Sequence, residues 1–204
     1  MSEKQNAFYD LAPLLVDTEV DENGVAEFAD RRFVYFHTDM FAQLFENMKQ
    51  VAGPVVDREI SQFGFHAGKF IGEEMDEEFK DVSVTKILGL VYKSGFNISA
   101  IKKISDTDNL SQIEKISGYG KYVGWLGDMD FSEYEDGEKV VLEVENTFES
   151  DSYGETGEKQ CKFMRNTFAG IMSYYWENDD VNVEETKCRS EGHGKCRMVI
   201  TSNE

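Results

Sequence analysis

The stretch 181-VNVEETKCRSEGHGKCRMVITS-202 decides how this chain folds. It contains two runs in which apolar and polar residues alternate, which is the pattern of strands with one buried face. Between the runs lies Gly192-His193-Gly194, and glycines at this spacing let a chain reverse direction tightly. The pattern therefore predicts a hairpin of two strands, over 181–189 and 195–201.

The cysteines around this hairpin indicate a metal site. The chain has three cysteines, which cannot all pair as disulfides, and an acidic residue precedes the second cysteine by three positions. Zinc takes about four Cys, His or carboxylate ligands in a closed structural site. The candidate ligands are Cys161, Glu185, Cys188 and Cys196. Glu184 or His193 could replace Glu185, and a disulfide or plain buried thiols are the alternatives to zinc.

The composition is that of a packed globular chain. Of its 204 residues 40% are hydrophobic, including 15 Phe, 9 Tyr and 2 Trp. We expect an acidic N-terminal extension over 1–31 and one domain over 32–204. The net charge of −19 argues against nucleic-acid binding, and no apolar run approaches the roughly 20 residues of a membrane span. Because no secretory signal is recognisable, reduced thiols favour a cytoplasmic location.

Two helices are predicted after the extension. The first begins at Thr38 or Asp39 and ends before Gly53-Pro54. Its apolar stripe comprises Met40, Phe41, Leu44, Phe45, Met48 and Val51. The buried side of the second helix is assigned to Val56, Ile60, Phe63, Ala67, Phe70 and Ile71. Glycines at 64, 68 and 72 indicate a face closely approached by another backbone or by a ligand, and helix packing or a dimer contact is favoured over a ligand wall.

Shorter patterns assign the remaining segments. A strand is predicted over 33–36, a helix over 84–93 and a half-exposed strand over 139–148. A further helix begins at Cys161 and has an inner side formed by Met164, Phe168, Ile171, Met172 and Tyr175. Residues 97–136 receive no regular assignment. Their glycine-rich stretch lacks the preceding strand and the following helix that a dinucleotide-binding loop needs.

The C-terminal motif extends beyond the hairpin. It reads Cys161-x6-Phe168-Ala169-Gly170, then Tyr175, then Val183-Glu184-Glu185-x2-Cys188-x3-Gly192-x-Gly194-x-Cys196-x-Met198-x-Ile200. This motif resembles the signature of the 4-vinyl-reductase-type domains, a family that includes the sensor domains of phenol- and xylene-responsive regulators. A looser similarity upstream, over 53–72, extends the resemblance to about 32–202.

The resemblance implies an α+β fold of helices packed on an antiparallel sheet, related to haem-based NO sensors and to Golgi-transport tethering subunits, and commonly dimeric. It also implies a zinc ion that staples the C-terminal hairpin to the preceding helix. The implied ligands are Cys161, Glu185, Cys188 and Cys196. The Tyr-x-Ser-x-Arg motif that anchors haem in the haem-binding branch is missing, which argues against haem.

Three functions are compatible with these expectations. The first is a stand-alone binding or sensor domain whose apolar cavity holds a small hydrophobic, aromatic or tetrapyrrole-like molecule. Candidate lining residues are Phe63, Phe70, Trp125, Phe168 and Tyr175. Zinc with four protein ligands has no open position for water, so we expect a structural ion and no enzymatic activity. The alternatives are a tetrapyrrole vinyl-reductase component or accessory, and a protein-interaction adaptor resembling tethering subunits.

Overall fold

The computed structural model describes residues 19–20, 26–28, 31–33, 38–78, 120, 125–127 and 129–203. Helices pack on antiparallel strands, which confirms the predicted α+β class. The elements in chain order are β1 (Glu19–Val20), β2 (Ala26–Phe28), β3 (Arg31–Phe33), α1 (Thr38–Ala52), α2 (Val55–Glu78), β4 (Met129–Glu135), β5 (Lys139–Val144), α3 (Phe148–Tyr153), α4 (Lys162–Tyr175), β6 (Val181–Lys187) and β7 (Cys196–Ser202).

The main sheet is antiparallel and has the strand order β4-β5-β7-β6. β7 pairs with β6, as the predicted hairpin requires, and with β5 on its other edge. Directly paired residues of antiparallel strands point to the same face, so Cys196 lies beside Val144 and Met198 beside Leu142. Together with Ile200 they are buried and form the contribution of the sheet to the core.

The glycines of α2 pack directly on α4. A Cβ atom at Gly68 would lie 2.0 Å from the carbonyl oxygen of Thr167, and one at Gly170 would lie 2.0 Å from the carbonyl oxygen of Phe65. Gly64 makes a similarly close approach to the backbone of α4. Because only a residue without a side chain permits such contacts, these glycines mark a helix–helix crossing, which is the favoured interpretation of their spacing.

This crossing changes the predicted buried side of α2. Val56 and Ile60 are buried, as expected, on the same side as the glycines. Phe63 is 61% exposed and Phe70 is 48% exposed, so their assignment to the buried side is wrong. The reason is that the side of α2 nearest to α4 is set by its glycines, and the large rings point away from this contact.

The apolar stripe of α1 is also divided between the interior and the surface. Phe45 is buried, whereas four other members of the stripe are exposed. These four residues, Met40, Leu44, Met48 and Val51, are called the α1 apolar face below. Asp57 of α2 joins the helices, because its carboxylate lies 2.8 Å from Lys162 Nζ at the start of α4 and 3.7 Å from Lys49 Nζ of α1.

The predicted half-exposed strand over 139–148 is shorter and more buried than expected. β5 has neighbours on both edges, and Val141, on its second face, is fully buried. After β5, the Thr147 side chain accepts a hydrogen bond from the Ser150 backbone N–H and thereby caps α3, a helix that the sequence did not predict. β4 lies in the segment that received no regular assignment.

Some predictions fall wholly or partly outside the described residues. The helix over 84–93 does so entirely, and the strand over 33–36 is described only at its first residue, which ends β3. β1, β2 and β3 form a small antiparallel sheet across the predicted boundary at residue 31, and the division into extension and domain stays a prediction. In the described ranges, no helix has the length and apolar character needed to cross a membrane.

Candidate metal centre

The turn between β6 and β7 carries three of the four candidate ligands. Glu185 lies in β6, next to a register shift against β7. After β6 the chain passes Cys188 and a 3₁₀ turn, and Gly192 then adopts a left-handed conformation with a φ of 93°. Glycine adopts this conformation without strain, which confirms the predicted role of the turn at this position. The chain returns with Cys196 as the first residue of β7.

Cys161 reaches the same place from the start of α4. It is the N-cap residue of this helix, yet its side chain makes no capping hydrogen bond. Instead, the backbone N–H groups of Phe163 and Met164 donate to the Glu149 carboxylate at 3.0 and 2.7 Å. A carboxylate at a helix N-terminus satisfies free N–H groups and interacts favourably with the helix dipole. Glu149 therefore caps α4 and leaves the Cys161 thiol available to the other cysteines.

The three sulfur atoms have the spacing of a metal shell. Cys161 Sγ lies 3.5 Å from Cys196 Sγ and 4.0 Å from Cys188 Sγ, and the latter two atoms are 3.9 Å apart. A tetrahedral zinc ion with Zn–S bonds near 2.3 Å would place its sulfurs about 3.8 Å apart. Disulfide sulfurs are only about 2 Å apart, and all three cysteines are free. The spacing therefore fits a shared cation better than a disulfide.

Glu185 completes the group. Its carboxylate is buried, neither carboxylate oxygen has a hydrogen-bond partner, and all four potential ligand atoms lie within 4.8 Å of one another. A buried carboxylate without a partner is costly, and a cation would remove this cost. Glu184 and His193, the alternative fourth ligands, are exposed and lie outside the group. The residues present therefore fit zinc, which would supply a cross-link between β6, β7 and α4.

The ionisable groups of this cluster depend strongly on one another. Burial raises the pKa of Glu185 to about 8, and the adjacent Cys188 thiol adds to this effect. Hydrogen bonds with the other two sulfurs raise the pKa of Cys161 and lower the pKa of Cys196, because the sulfurs share protons. A bound divalent cation would reverse the preference for protonation, since thiols and carboxylates must ionise to become metal ligands.

α3 holds the metal-site turn in place. The Arg189 guanidinium donates hydrogen bonds to the side chains of Asn146 and Asp151, and the Ser190 hydroxyl donates to the Ser150 carbonyl at 3.3 Å. Sequence reasoning missed these supports together with α3 itself. The available signal was the Thr147-x-x-Ser150 pattern directly after a strand, since threonine is a favourable N-cap residue.

Aromatic rings gather two residues after Cys161. The Phe163 ring centroid lies 5.4 Å from that of Phe63, 6.4 Å from that of Trp125 and 6.0 Å from that of Phe148. Phe41 extends the group, with its centroid 5.3 Å from that of Phe148. These five residues are called the Phe163 cluster below.

The structure distributes the five predicted lining residues over more than one place. Phe63 and Trp125 belong to the Phe163 cluster. Phe168 is buried in the main core farther along α4, and Tyr175 packs against that core. Phe70 lies on the exposed side of α2. Their role in ligand binding stays a prediction, and Phe163 is the central ring that the prediction omitted.

Comparison with known families locates one clear match. Residues 140–202 match the model of the 4-vinyl-reductase domain, a segment that runs from β5 to β7 and contains all four candidate metal ligands. This match confirms the resemblance predicted from the C-terminal motif. A comparison with curated proteins finds no match.

Among solved structures, the chain is similar to the crystal structure of the phenol-responsive sensory domain of the transcription activator PoxR with phenol. The two chains are 15% identical, the match covers 99% of this chain and 91% of the other, and the TM-score is 0.69. At this identity the similarity establishes the shared fold.

Two further structures are more distant. A trafficking protein particle complex subunit 3 from Naegleria fowleri, covalently bound to palmitic acid, is 12% identical, with a TM-score of 0.47 and coverage of 82% of this chain and 95% of that one. An Fe(II) unliganded H-NOX protein from K. algicida is 14% identical, with a TM-score of 0.41 and coverage of 98% and 95%. These scores support no conclusion about the chain.

Proposed function

From the 4-vinyl-reductase domain match over residues 140–202 and the fold shared with a phenol-responsive domain, we propose that this chain binds a small hydrophobic molecule and uses zinc as a structural cross-link. The observation that carries the proposal is the position of Cys161 and Phe163 at the start of α4. One is a candidate metal ligand, and the other is the centre of the Phe163 cluster. The metal and the aromatic rings therefore act on the same helix turn.

In this proposal zinc fixes one wall of the binding site. It joins the ends of β6 and β7 to the N-terminus of α4, and this N-terminus carries Phe163. Four protein ligands close the metal shell, so zinc activates no water and takes no part in a reaction. Loss of the metal would release the start of α4, and the rings around Phe163 would lose their fixed arrangement.

The proposed ligand is a small aromatic or hydrocarbon molecule. Aromatic rings offer apolar area together with edge-to-face contacts, and both favour ligands of this class. Trp125 is only partly buried and touches Phe163, so it is the member of the Phe163 cluster best suited to report binding. The other predicted residues, Phe70, Phe168 and Tyr175, remain candidates for a continuation of the site along α2 and α4.

We further propose a dimer in a reducing, cytoplasmic environment. The α1 apolar face is exposed, and a second copy of the chain would cover it. The three buried thiols are unpaired, which fits a reducing compartment. The exposed apolar residues also favour a second candidate, a protein-interaction adaptor, in which a different protein covers the same face.

A titration with phenol tests the ligand-binding proposal. The chain has two tryptophans, and phenol bound near Phe163 should change the fluorescence of Trp125 in a saturable manner. The Trp176→Phe variant, which keeps Trp125, should retain the full change. The Trp125→Phe variant should lose it.

The same experiment is extended to p-xylene and to a tetrapyrrole. Saturable binding of phenol or p-xylene supports a sensor of small aromatic compounds, whereas binding of the tetrapyrrole alone supports the vinyl-reductase alternative. A protein that ignores all three probes, and from which native mass spectrometry releases no retained small molecule, contradicts the ligand-binding proposal and favours the adaptor.

A further inference from the structure

The three candidate thiolate ligands differ in the hydrogen bonds that reach their sulfur atoms. Thr147 Oγ1 lies 3.1 Å from Cys161 Sγ, and both residues are fully buried. The backbone N–H of Arg189 donates to Cys196 Sγ at 3.4 Å. Among the described residues, no hydroxyl or backbone N–H group donates to Cys188 Sγ. The hydroxyl of Thr147 is therefore the one side-chain hydroxyl that these residues direct at the metal ligands.

The direction of the contact between Thr147 and Cys161 follows from counting protons. The Thr147 hydroxyl has one proton and two neighbours that could accept it, Cys161 Sγ at 3.1 Å and Ser150 Oγ at 2.8 Å. A metal-bound thiolate has no proton and can only accept a hydrogen bond. Bound zinc would therefore direct the Thr147 hydroxyl to the sulfur, and the Ser150 hydroxyl could then donate to Thr147 Oγ1.

The charge of the site gives this hydrogen bond a purpose. Three thiolates and one carboxylate carry four negative charges, of which a divalent cation neutralises two. The remaining negative charge is buried with the ligands, so it requires donors in the surrounding protein. Hydrogen bonds to ionised acceptors are stronger than those between neutral groups, and groups that hydrogen-bond to metal ligands commonly govern metal affinity.

We propose that Thr147 is a positioning residue of the metal site, whose hydroxyl donates to the Cys161 thiolate, orients it and stabilises its charge. The assignment rests on the proposed zinc site and adds a residue outside the ligand set. Thr147 is suited to this task because it stands at the N-cap of α3, where its backbone is fixed by the hydrogen bond from Ser150 N–H to Oγ1 at 3.1 Å. The same side-chain oxygen thus caps α3 and supports Cys161.

The test compares three variants in the zinc-loaded protein. Thr147→Val preserves the branched shape and removes the hydroxyl, Thr147→Ser preserves the hydroxyl, and Ser150→Ala removes the neighbouring hydroxyl while leaving that of Thr147 in place. Competition with a chromophoric chelator should show zinc binding about 10- to 100-fold weaker in Thr147→Val. Thr147→Ser should stay close to the wild type, and Ser150→Ala should lie between them.

A spectroscopic measurement separates this role from helix capping alone. In the cobalt-substituted protein, the sulfur-to-cobalt charge-transfer band should move to lower energy in Thr147→Val, because the Cys161 thiolate has lost a hydrogen-bond donor. Thr147→Ser should keep the band of the wild type. A variant that is merely less stable would show the original band in its folded fraction, and this outcome would contradict the proposal.

If Thr147→Val does not fold, the wild-type protein still provides a test. Loaded with a spin-one-half cadmium isotope, it should show scalar coupling between cadmium and two protons, the Thr147 hydroxyl and the Arg189 amide. Coupling to the Arg189 amide without coupling to the Thr147 hydroxyl contradicts the assignment of Thr147 alone. A wild-type chain that binds neither zinc nor cobalt refutes the metal site itself, and Thr147 then has no metal ligand to support.

Discussion

Replacing Gly68 by alanine tests the helix crossing that positions α4. The new Cβ atom would lie 2.0 Å from the Thr167 carbonyl oxygen and 2.8 Å from its carbon, whereas ordinary contacts begin at 3.4 Å. The obstacle is backbone, so α2 and α4 must separate by more than an ångström. Overpacking of this kind costs about 1–3 kcal/mol, and a contact with backbone belongs at the upper end.

Alanine also gains about 1 kcal/mol over glycine in a helix interior, so the net loss of unfolding free energy should be about 2 kcal/mol. For a chain of this length, that loss corresponds to a decrease in Tm of about 4–8 °C. Chemical denaturation and calorimetry measure both quantities. Gln62→Ala, at an exposed position of the same helix, is the matched control and should change the unfolding free energy by less than about 0.5 kcal/mol. A Gly68→Ala protein as stable as the wild type, or more stable, would show that α2 and α4 do not meet at this glycine.

Two further predictions concern a buried carboxylate and the exposed surface. Burial raises the pKa of Glu149 to about 8 from an ordinary value of 4.5, so the folded state retains a proton that the unfolded state releases. Wild-type stability relative to Glu149→Gln should therefore fall by up to about 5 kcal/mol as the pH rises from 4.5 to 8, and parallel stability curves in denaturant titrations would contradict this. Leu44→Glu, on the α1 apolar face, should shift sedimentation from dimer to monomer, whereas Gln50→Glu, exposed on the same helix, should not. Wild-type protein that sediments as a monomer at all concentrations refutes the proposed dimer.

The C-terminal part of the fold could be predicted because its residues carry local signals. The alternation on either side of Gly192 indicates a hairpin, and the spacing of Cys188 and Cys196 places two thiols near its turn. The choice of Glu185 over Glu184 also follows from strand periodicity, since neighbouring residues of a strand face opposite sides and only Glu185 is buried.

Other features depend on contacts that no local pattern contains. The exposure of Phe63 could not be predicted, because the buried side of α2 is set by its crossing with α4, roughly a hundred positions further along the chain. Val141 is buried because β5 lies between two strands, and strand order does not follow from alternation. The capping of α4 by Glu149 links two separate helices, so its signal lies in tertiary structure. Thr147 lay close to a recognisable N-cap pattern and was the most accessible of the missed residues.

The zinc content of the purified protein tests most directly whether Cys161, Glu185, Cys188 and Cys196 form a structural metal site. Elemental analysis should find one zinc ion per chain in the wild type, and removal of zinc by a chelator should lower the Tm. Cys188→Ser should lose most of the zinc and show the same lower Tm whether or not chelator is present. A wild-type protein that is free of zinc and equally stable with and without added zinc would contradict the structural metal site.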